Sequence, residues 1–521
     1  MNFKRNCSRI IALIGSVLLI AGCKDANAFE QYQYIEAIED SHEDFESEFG
    51  EYKKLGDYKH YMAAISESKD PETDETVVQY KDIGDTHEIQ NEYAGYSKLK
   101  ATGERKIVVI PVNFDGFTNE DIGVKKDEYI SNLNKAFFGS NKSNKFVSVA
   151  EYYNRSSYGQ LKITGKVCDQ FYVYDDEAFT KVNSAKYYTH VRESLYEKVL
   201  NWYKETYKEE LIDYRVDQEN GTALYLVYSF PADMNNQNPS FFWAYTLNEV
   251  PLSWSSYSFM NTLSGAPDAH TYIHETGHLF GLADYYPTEE GTSQPNVKEP
   301  TARIDMMDCS VGDHTGLSKM WLNWTRPYWV TGKSDVTEIN IKPLVNSGDL
   351  ILINDKWNGT VFDEYYLVEL YSPIGLNYFD TNNGNNLAKL PTLPGVKIYH
   401  VDARLAYFNS TKKFIRYCNE TPNSGETIIE PTKGNIDIAH DNSTYESKDL
   451  YRINSLYEFV LNNADYSSTG CATNINLYRK GDSLEEMAFN STNLNSQNYK
   501  ISVTDLSYAN ATIKIEKIRE K

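Results

Sequence analysis

The run AHTYIHETGHLFGLADYY, residues 269 to 286, holds the densest grouping of reactive side chains in the sequence. His274 and His278 stand four apart, Glu275 follows the first, and Gly281 and Asp284 follow the second by three and six residues. Helical positions four apart share a face, so both imidazoles can reach one ion. Glu275 lies one residue round from that face, where a carboxylate can touch a water on the ion without binding the ion itself. Gly281 permits a left-handed turn that ends the helix and folds the chain back. That turn makes Asp284 the candidate third ligand. Three protein ligands with an open fourth position describe a catalytic zinc ion rather than a structural one. The plain alternative is an amphipathic helix with surface histidines and a glycine cap, and the glycine and aspartate at fixed offsets weigh against it.

The chemistry such a grouping performs is hydrolysis. Zinc lowers the pKa of a bound water toward about 7 and polarises a carbonyl. Glu275 is placed to accept the water's proton and return it to a leaving amine. An aspartate in the third position adds a negative charge that a histidine would not, and slightly weakens the metal as a Lewis acid. His270, four residues before His274, reads as a supporting or entrance residue because Asp284 completes the ligand set. His314 either lines the cleft or is structural, with the structural role favoured; His400, in KIYHVD, reads as a structural hydrogen-bonder.

Elements that would position these residues begin near Lys106. KIVVIPVNF reads as a buried strand, and KDEYISNLNKAFFG as a helix closed by Gly139. FVSVAEYYNRSSYGQLKITGKV predicts a helix, a turn at Tyr158-Gly159 and a strand. Lys186 to Lys208 carries Val191, Leu195, Val199 and Trp202 on one helical stripe. ALYLVYSF (223 to 230) and WSSYSFMN (254 to 261) are the next expected strands. A polar stretch without regular period follows Asp284, either a loop lining a cleft or a surface insertion. Zinc proteases of the metzincin type seat a methionine turn beneath the metal. Met307, in DMMDCS and 23 residues after Asp284, is the candidate, with Met306 next. GLSKMWLNW, 316 to 324, predicts a short helix. Beyond about 335, short apolar runs separated by Gly, Asn, Asp and Ser predict an antiparallel β-sandwich.

A length of 521 residues accommodates more than one core, and 41% hydrophobic content is ordinary for a folded protein. The net charge of −23 excludes nucleic acid as an expected partner, since phosphate would be repelled. At the N-terminus, Lys4, Arg5 and Arg9 precede an apolar run from Ile10 to Ile20, which reads as an export signal. Ile20-Ala21-Gly22-Cys23 resembles a lipobox with Cys23 as the lipidated residue; Ala26-Asn27-Ala28 is the competing, unlipidated cleavage site. The expected location is therefore extracellular, as a lipoprotein anchored at the outer face of the membrane, or secreted if the lipobox is not used. Residues 24–105 are acidic and read as a tether or a propeptide, with His42, His60 and His87 as solvent-exposed side chains. Cys168, Cys309, Cys418 and Cys471 are too widely spaced for a disulfide scaffold, and a Cys418–Cys471 bridge stays open.

HETGHLFGLAD, together with IDMMD and LSKMWLNW, resembles the immune inhibitor A family of secreted bacterial zinc metalloproteases. KIVVIPVNFDG and VAEYYNRSSYGQLKITGKV resemble its opening strand and helix-turn-strand, and EYYLVELYSP and LPGVKIYHVD its later β region. The likeness spans roughly 106 to 405. It implies an α+β, zincin/metzincin-like catalytic domain followed by an antiparallel β-sandwich region. The expected order is a signal peptide (1–23), the acidic segment (24–105), a metalloprotease domain (106–334) and the β region (335–521). It also implies His274, His278 and Asp284 as zinc ligands, Glu275 as the catalytic carboxylate, Met307 in the turn, and protein or peptide substrates. Structural calcium beside the zinc is a further implication, with no ligands assigned. In one departure, no tyrosine follows Met307 within two residues, so the turn supplies no oxyanion-stabilising phenol. Rival expectations are a surface adhesin or binding lipoprotein, and a zinc hydrolase of a cell-wall amide or ester.

Overall fold

The computed structural model describes residues 99–230, 244–285, 305–378, 391–403 and 472–518 with breaks inside these ranges, and isolated strands elsewhere. The expected signal with Cys23, most of 24–98, the polar run 286–304, Cys309, and the Cys418–Cys471 pair lie outside the described residues. The chain forms two compact units, one within Gln90–Leu282 and the other within Ala283–Lys521, to which Tyr52–Lys54 also belongs. The break at Leu282 falls inside the expected 106–334 segment. Both helices and several sheets are present, a mixed α/β architecture. Among the described residues, no helix is long and apolar enough to cross a membrane.

The first unit is built on β1 (Gly103–Phe114), whose apolar run is buried on both sides. It continues through α1 (Lys126–Phe138), α2 (Val149–Ser156), β2 (Leu161–Val167), β3 (Tyr172–Tyr174) and α3 (Ala185–Tyr207). β4 (Thr222–Tyr228), β5 (Tyr245–Thr246), β6 (Leu252–Ser256) and α4 (His270–Leu279) complete it. Strand order is β2-β1-β4-β6-β5, with β3 also on β1. β2, β3, β4 and β6 pair in parallel, and β5 joins β6 antiparallel at the edge. Helices between parallel strands must cover the sheet, which explains strands that read as continuous apolar runs. The expected strand at 254–261 begins earlier, at Leu252, and stops at Ser256, where a 3-10 turn (Tyr257–Met260) takes over.

Alternation along the strands separates the sheet's faces. Val108, Ile110, Val112, Leu224, Leu226, Leu252 and Trp254 join Leu195, Tyr196, Val199 and Tyr203 of α3 in one apolar cluster. The alternate residues turn toward α1, α2 and α4. Tyr225 meets Phe137 of α1 and Tyr272 of α4 with ring centroids 4.9 and 5.6 Å apart. Tyr129 of α1 donates its hydroxyl to the Val227 carbonyl at 3.0 Å. From α2, Tyr153 donates to the Ile273 carbonyl at 2.7 Å, which ties the motif helix to its neighbour.

The second unit opens with α5 (Gly316–Trp321), then β7 (Tyr328–Val330), β8 (Val336–Ile341), β9 (Ile351–Ile353), β10 (Glu364–Tyr371) and β11 (Gly395–Ala403). β12 (Tyr457–Leu461), β13 (Ser483–Leu484), β14 (Tyr499–Leu506) and β15 (Ala511–Lys517) follow. β7, β9, β10, β11 and β12 line up in one sheet, with Tyr52–Lys54 from the acidic segment on its outer edge against β7. β8, β15, β14 and β13 form another. Ile339, Ile341, Ile513 and Ile515 of the second sheet share a core with Ile351, Val368, Leu370 and Ile398 of the first. Pairing is antiparallel except between β7 and β9.

Candidate metal centre

The motif helix α4 is anchored on its buried side by Tyr272 and Ile273, both fully buried, with the Tyr272 hydroxyl donating to the Ser256 carbonyl at 3.1 Å. It ends as the glycine predicts. Gly281 takes φ +96°, its N–H reaches the His278 carbonyl at 2.9 Å, and the Leu282 N–H reaches the Gly277 carbonyl at 3.1 Å. This paired closure needs a left-handed residue, which glycine adopts without a Cβ penalty. The turn has a chemical consequence: the Leu282 carbonyl returns to within 2.8 Å of His278 Nδ1. Nδ1–H donates to that carbonyl, which fixes the tautomer and makes Nε2 the nitrogen with a lone pair to offer a metal.

His274, Glu275 and His278 each offer a ligand atom, and these atoms lie within 4.8 Å of one another. The imidazole centroids are 4.9 Å apart, with the rings nearly perpendicular at 86°. Both histidines are half-buried, whereas Glu275 is only 5% exposed. Two imidazoles one helical turn apart are donors that zinc accepts, and the Glu275 carboxylate lies beside them. The residues therefore fit the ion the sequence predicts.

Glu275 rests on hydroxyls. Thr246 Oγ1 of β5 lies 3.1 Å from Glu275 Oε2 and 2.8 Å from the Glu275 carbonyl oxygen. Ser253 of β6 lies 2.7 Å behind Thr246, its partner in the β5–β6 ladder. Tyr225 stands nearby on β4, its phenol pushed well above the ordinary range by burial and then by the charge of Glu275. None of these carries a spacing signal. The alternation of serine with Leu252 and Trp254 in LSWSS is the one clue that this strand has a polar face.

Other expected residues fall as follows. His270, the first residue of α4, holds Asp268 Oδ1 at 2.7 Å through Nδ1, an arrangement consistent with a supporting role. Asp284 is half-buried and, although among the described residues, is not one of those whose ligand atoms lie together. Met307 is fully buried, and its carbonyl accepts the Tyr285 N–H at 2.8 Å. Tyr285 itself is engaged in structure, its hydroxyl 2.7 Å from the Ser318 hydroxyl.

Around the turn at 305–308 the second unit buries an ionic network that leaves no local signature in the sequence. Asp305 accepts the Met307 N–H at 2.8 Å, the Thr315 N–H and hydroxyl at 2.7 Å each, and the Ser318 hydroxyl at 2.9 Å. His314 Nδ1 lies 3.3 Å from the same carboxylate, so His314 takes its structural alternative. Burial raises the Asp305 carboxyl, but the His314 hydrogen bond and charge and the two N–H donors outweigh it and hold it at about 2. Thr315 makes no side-chain cap for α5, and Asp305 caps the helix from a distance. Glu369 of β10 adds the Gly316 N–H at 2.7 Å, and a Cβ on Gly316 would lie 2.8 Å from that same oxygen. Lys319 meets Asp313 at 2.8 Å with both side chains buried, and Lys397 meets Glu369 at 2.5 Å. These bonds join the turn and α5 to β10 and β11, which explains why the compact unit begins before them. In β11, His400 Nε2 contacts Glu364 at 2.9 Å and stacks on Tyr366, the structural role its strand position predicts.

Neither the known protein-family models nor the curated proteins gave a match to this chain.

Proposed function

We propose that the chain is an extracellular zinc-dependent endopeptidase, with a metzincin-like catalytic unit followed by a β-sandwich region. The observation that carries this reading is the convergence of His274, Glu275 and His278 on a helix whose own terminal turn sets the His278 tautomer. His274 and His278 would hold the ion; Asp284 as a third ligand rests on the spacing of the motif alone. When bound there, zinc supplies a water acidic enough to ionise near neutral pH and a Lewis acid for the substrate carbonyl.

The chain's own groups do the rest. Glu275, nearly buried and tethered at Oε2, presents its carboxylate to the attacking water, accepts the proton, and hands it to the departing amine. Leu282 keeps His278 from rotating, through the bond to Nδ1. Burial of Glu275 raises the strength of each interaction it makes, since fewer waters compete. A lipid anchor at Cys23 and structural calcium belong to the same reading.

Casein or gelatin zymography of the purified chain tests it. Wild type is expected to clear the gel, and a zinc chelator or Glu275→Ala to abolish clearing. Clearing that survives both treatments would refute the reading. Absence of clearing together with release of cell-wall fragments would favour a non-peptide amide or ester substrate, and binding without hydrolysis of either would favour an adhesin.

A further inference from the structure

We propose that Thr246, with Ser253 behind it, is the positioning residue that fixes the Glu275 carboxylate for proton transfer. The inference rests on the endopeptidase reading and adds a residue that the motif does not contain. A threonine hydroxyl has one proton to donate and two lone pairs to accept with. Thr246 Oγ1 has the Glu275 carbonyl at 2.8 Å, Glu275 Oε2 at 3.1 Å and Ser253 Oγ at 2.7 Å. An ionised carboxylate and a carbonyl only accept, so the Thr246 proton goes to Glu275, shared between carbonyl and carboxylate. Ser253 Oγ, with the Glu275 carbonyl also in reach at 3.5 Å, then shares its proton between Thr246 and that carbonyl. Both hydroxyls thus point their protons toward Glu275.

Position adds to the case. Thr246 is 6% exposed and Ser253 is fully buried, so water competes little for these bonds. The two residues face each other across the β5–β6 ladder, whose backbone pairing fixes where their hydroxyls sit. A carboxylate on a helix is thus gripped at Oε2 from a sheet. Groups held this way from rigid elements keep the geometry that proton transfer needs. The grip costs the helix no hydrogen-bonding position, because a helical carbonyl has a second lone pair for Thr246.

The test uses Thr246→Val, which keeps the shape and removes the hydroxyl, and Thr246→Ser, which keeps the hydroxyl. For T246V, kcat on a casein-derived peptide is expected to fall about 10- to 100-fold, as a misplacement of about 1 Å would cause. KM and zinc content per chain are expected to stay at wild-type levels, and T246S to restore most of kcat. A second readout needs no metal: thermal unfolding of the metal-free wild type, T246V, Glu275→Ala and the double variant. The Tm change caused by T246V is expected to differ according to whether Glu275 is present or replaced by alanine, since contacting residues are not additive. Wild-type kcat in T246V, a T246S no better than T246V, or strictly additive Tm changes would each overturn the proposal. A wild type that cleaves nothing while the Tm changes remain coupled would sink the endopeptidase reading and leave the Thr246–Glu275 bond standing. If T246V does not fold, T246S and Ser253→Ala carry the same comparison, with S253A expected to lower kcat and T246S to keep it.

Discussion

Under α3 the sheet of the first unit presents Val108, Ile110, Leu226 and Trp254; under α4 it presents Tyr225, Thr246, Ser253 and Ser255. The two patches lie on one sheet and are equally dry, yet the residues named under α3 are hydrocarbon and those named under α4 carry hydroxyls. Hydrocarbon stabilises in proportion to the area removed from water. Buried hydroxyls stabilise little even when paired and cost free energy when not. A face that gives up apolar packing under a motif helix therefore trades stability for geometry. The α3 face holds the unit together, and the α4 face holds Glu275 in place. Variants on the two faces should separate accordingly.

The largest expected effect is on the chemical face. Glu275→Ala should lower the rate of casein cleavage about 10²- to 10⁴-fold, the usual contribution of a general base. Metal content per chain, read by mass spectrometry, should not change. On the other face, Leu195→Ala should cost about 2–4 kcal/mol in urea unfolding, the usual loss for a truncated core leucine. Its kcat per folded molecule should match wild type. A loss of kcat without loss of stability in L195A would break the division of labour.

Buried polarity in the second unit sharpens the contrast, because there it is ionic and structural. Asp305 is held at about 2 in the folded chain against an ordinary 3.8. Its folded value is depressed, so the stabilisation is complete above the ordinary value and is lost as pH falls toward 2. The difference corresponds to about 2 kcal/mol. Unfolding midpoints measured between about pH 2 and about pH 6 should show this slope in wild type and lack it in Asp305→Asn. The smallest effect is expected at the surface. Lys162 and Glu104 pair at 3.1 Å with side chains 67% and 52% exposed, and Lys162→Ala should leave the unfolding midpoint where it is.

Much of this arrangement can be read from the chain, and what cannot has a physical reason. The helix at 270–279 and its glycine closure follow from short-range spacing, as do α1, the Tyr158-Gly159 turn and β1. Periodicity could not find the end of β6, because the apolar aromatic texture runs on from Trp254 through Tyr257 and Phe259 while the backbone tightens at Tyr257. Thr246 was invisible for another reason. Its partner lies 29 residues away, and a lone threonine in TLNEV looks like any other. Asp305 and Glu369 are hidden in the same way, since acids that cap a helix from afar leave no local signature. The helix-borne part of the site was legible; the sheet-borne part was not.

Titration of zinc into the metal-free chain tests the reading of the site most directly. We expect one ion per chain in wild type, and a marked loss of affinity when His274 or His278 becomes alanine. Glu275→Ala should bind as wild type does. A wild-type chain that takes up no zinc, or one whose affinity is unmoved by both histidine substitutions, would contradict it.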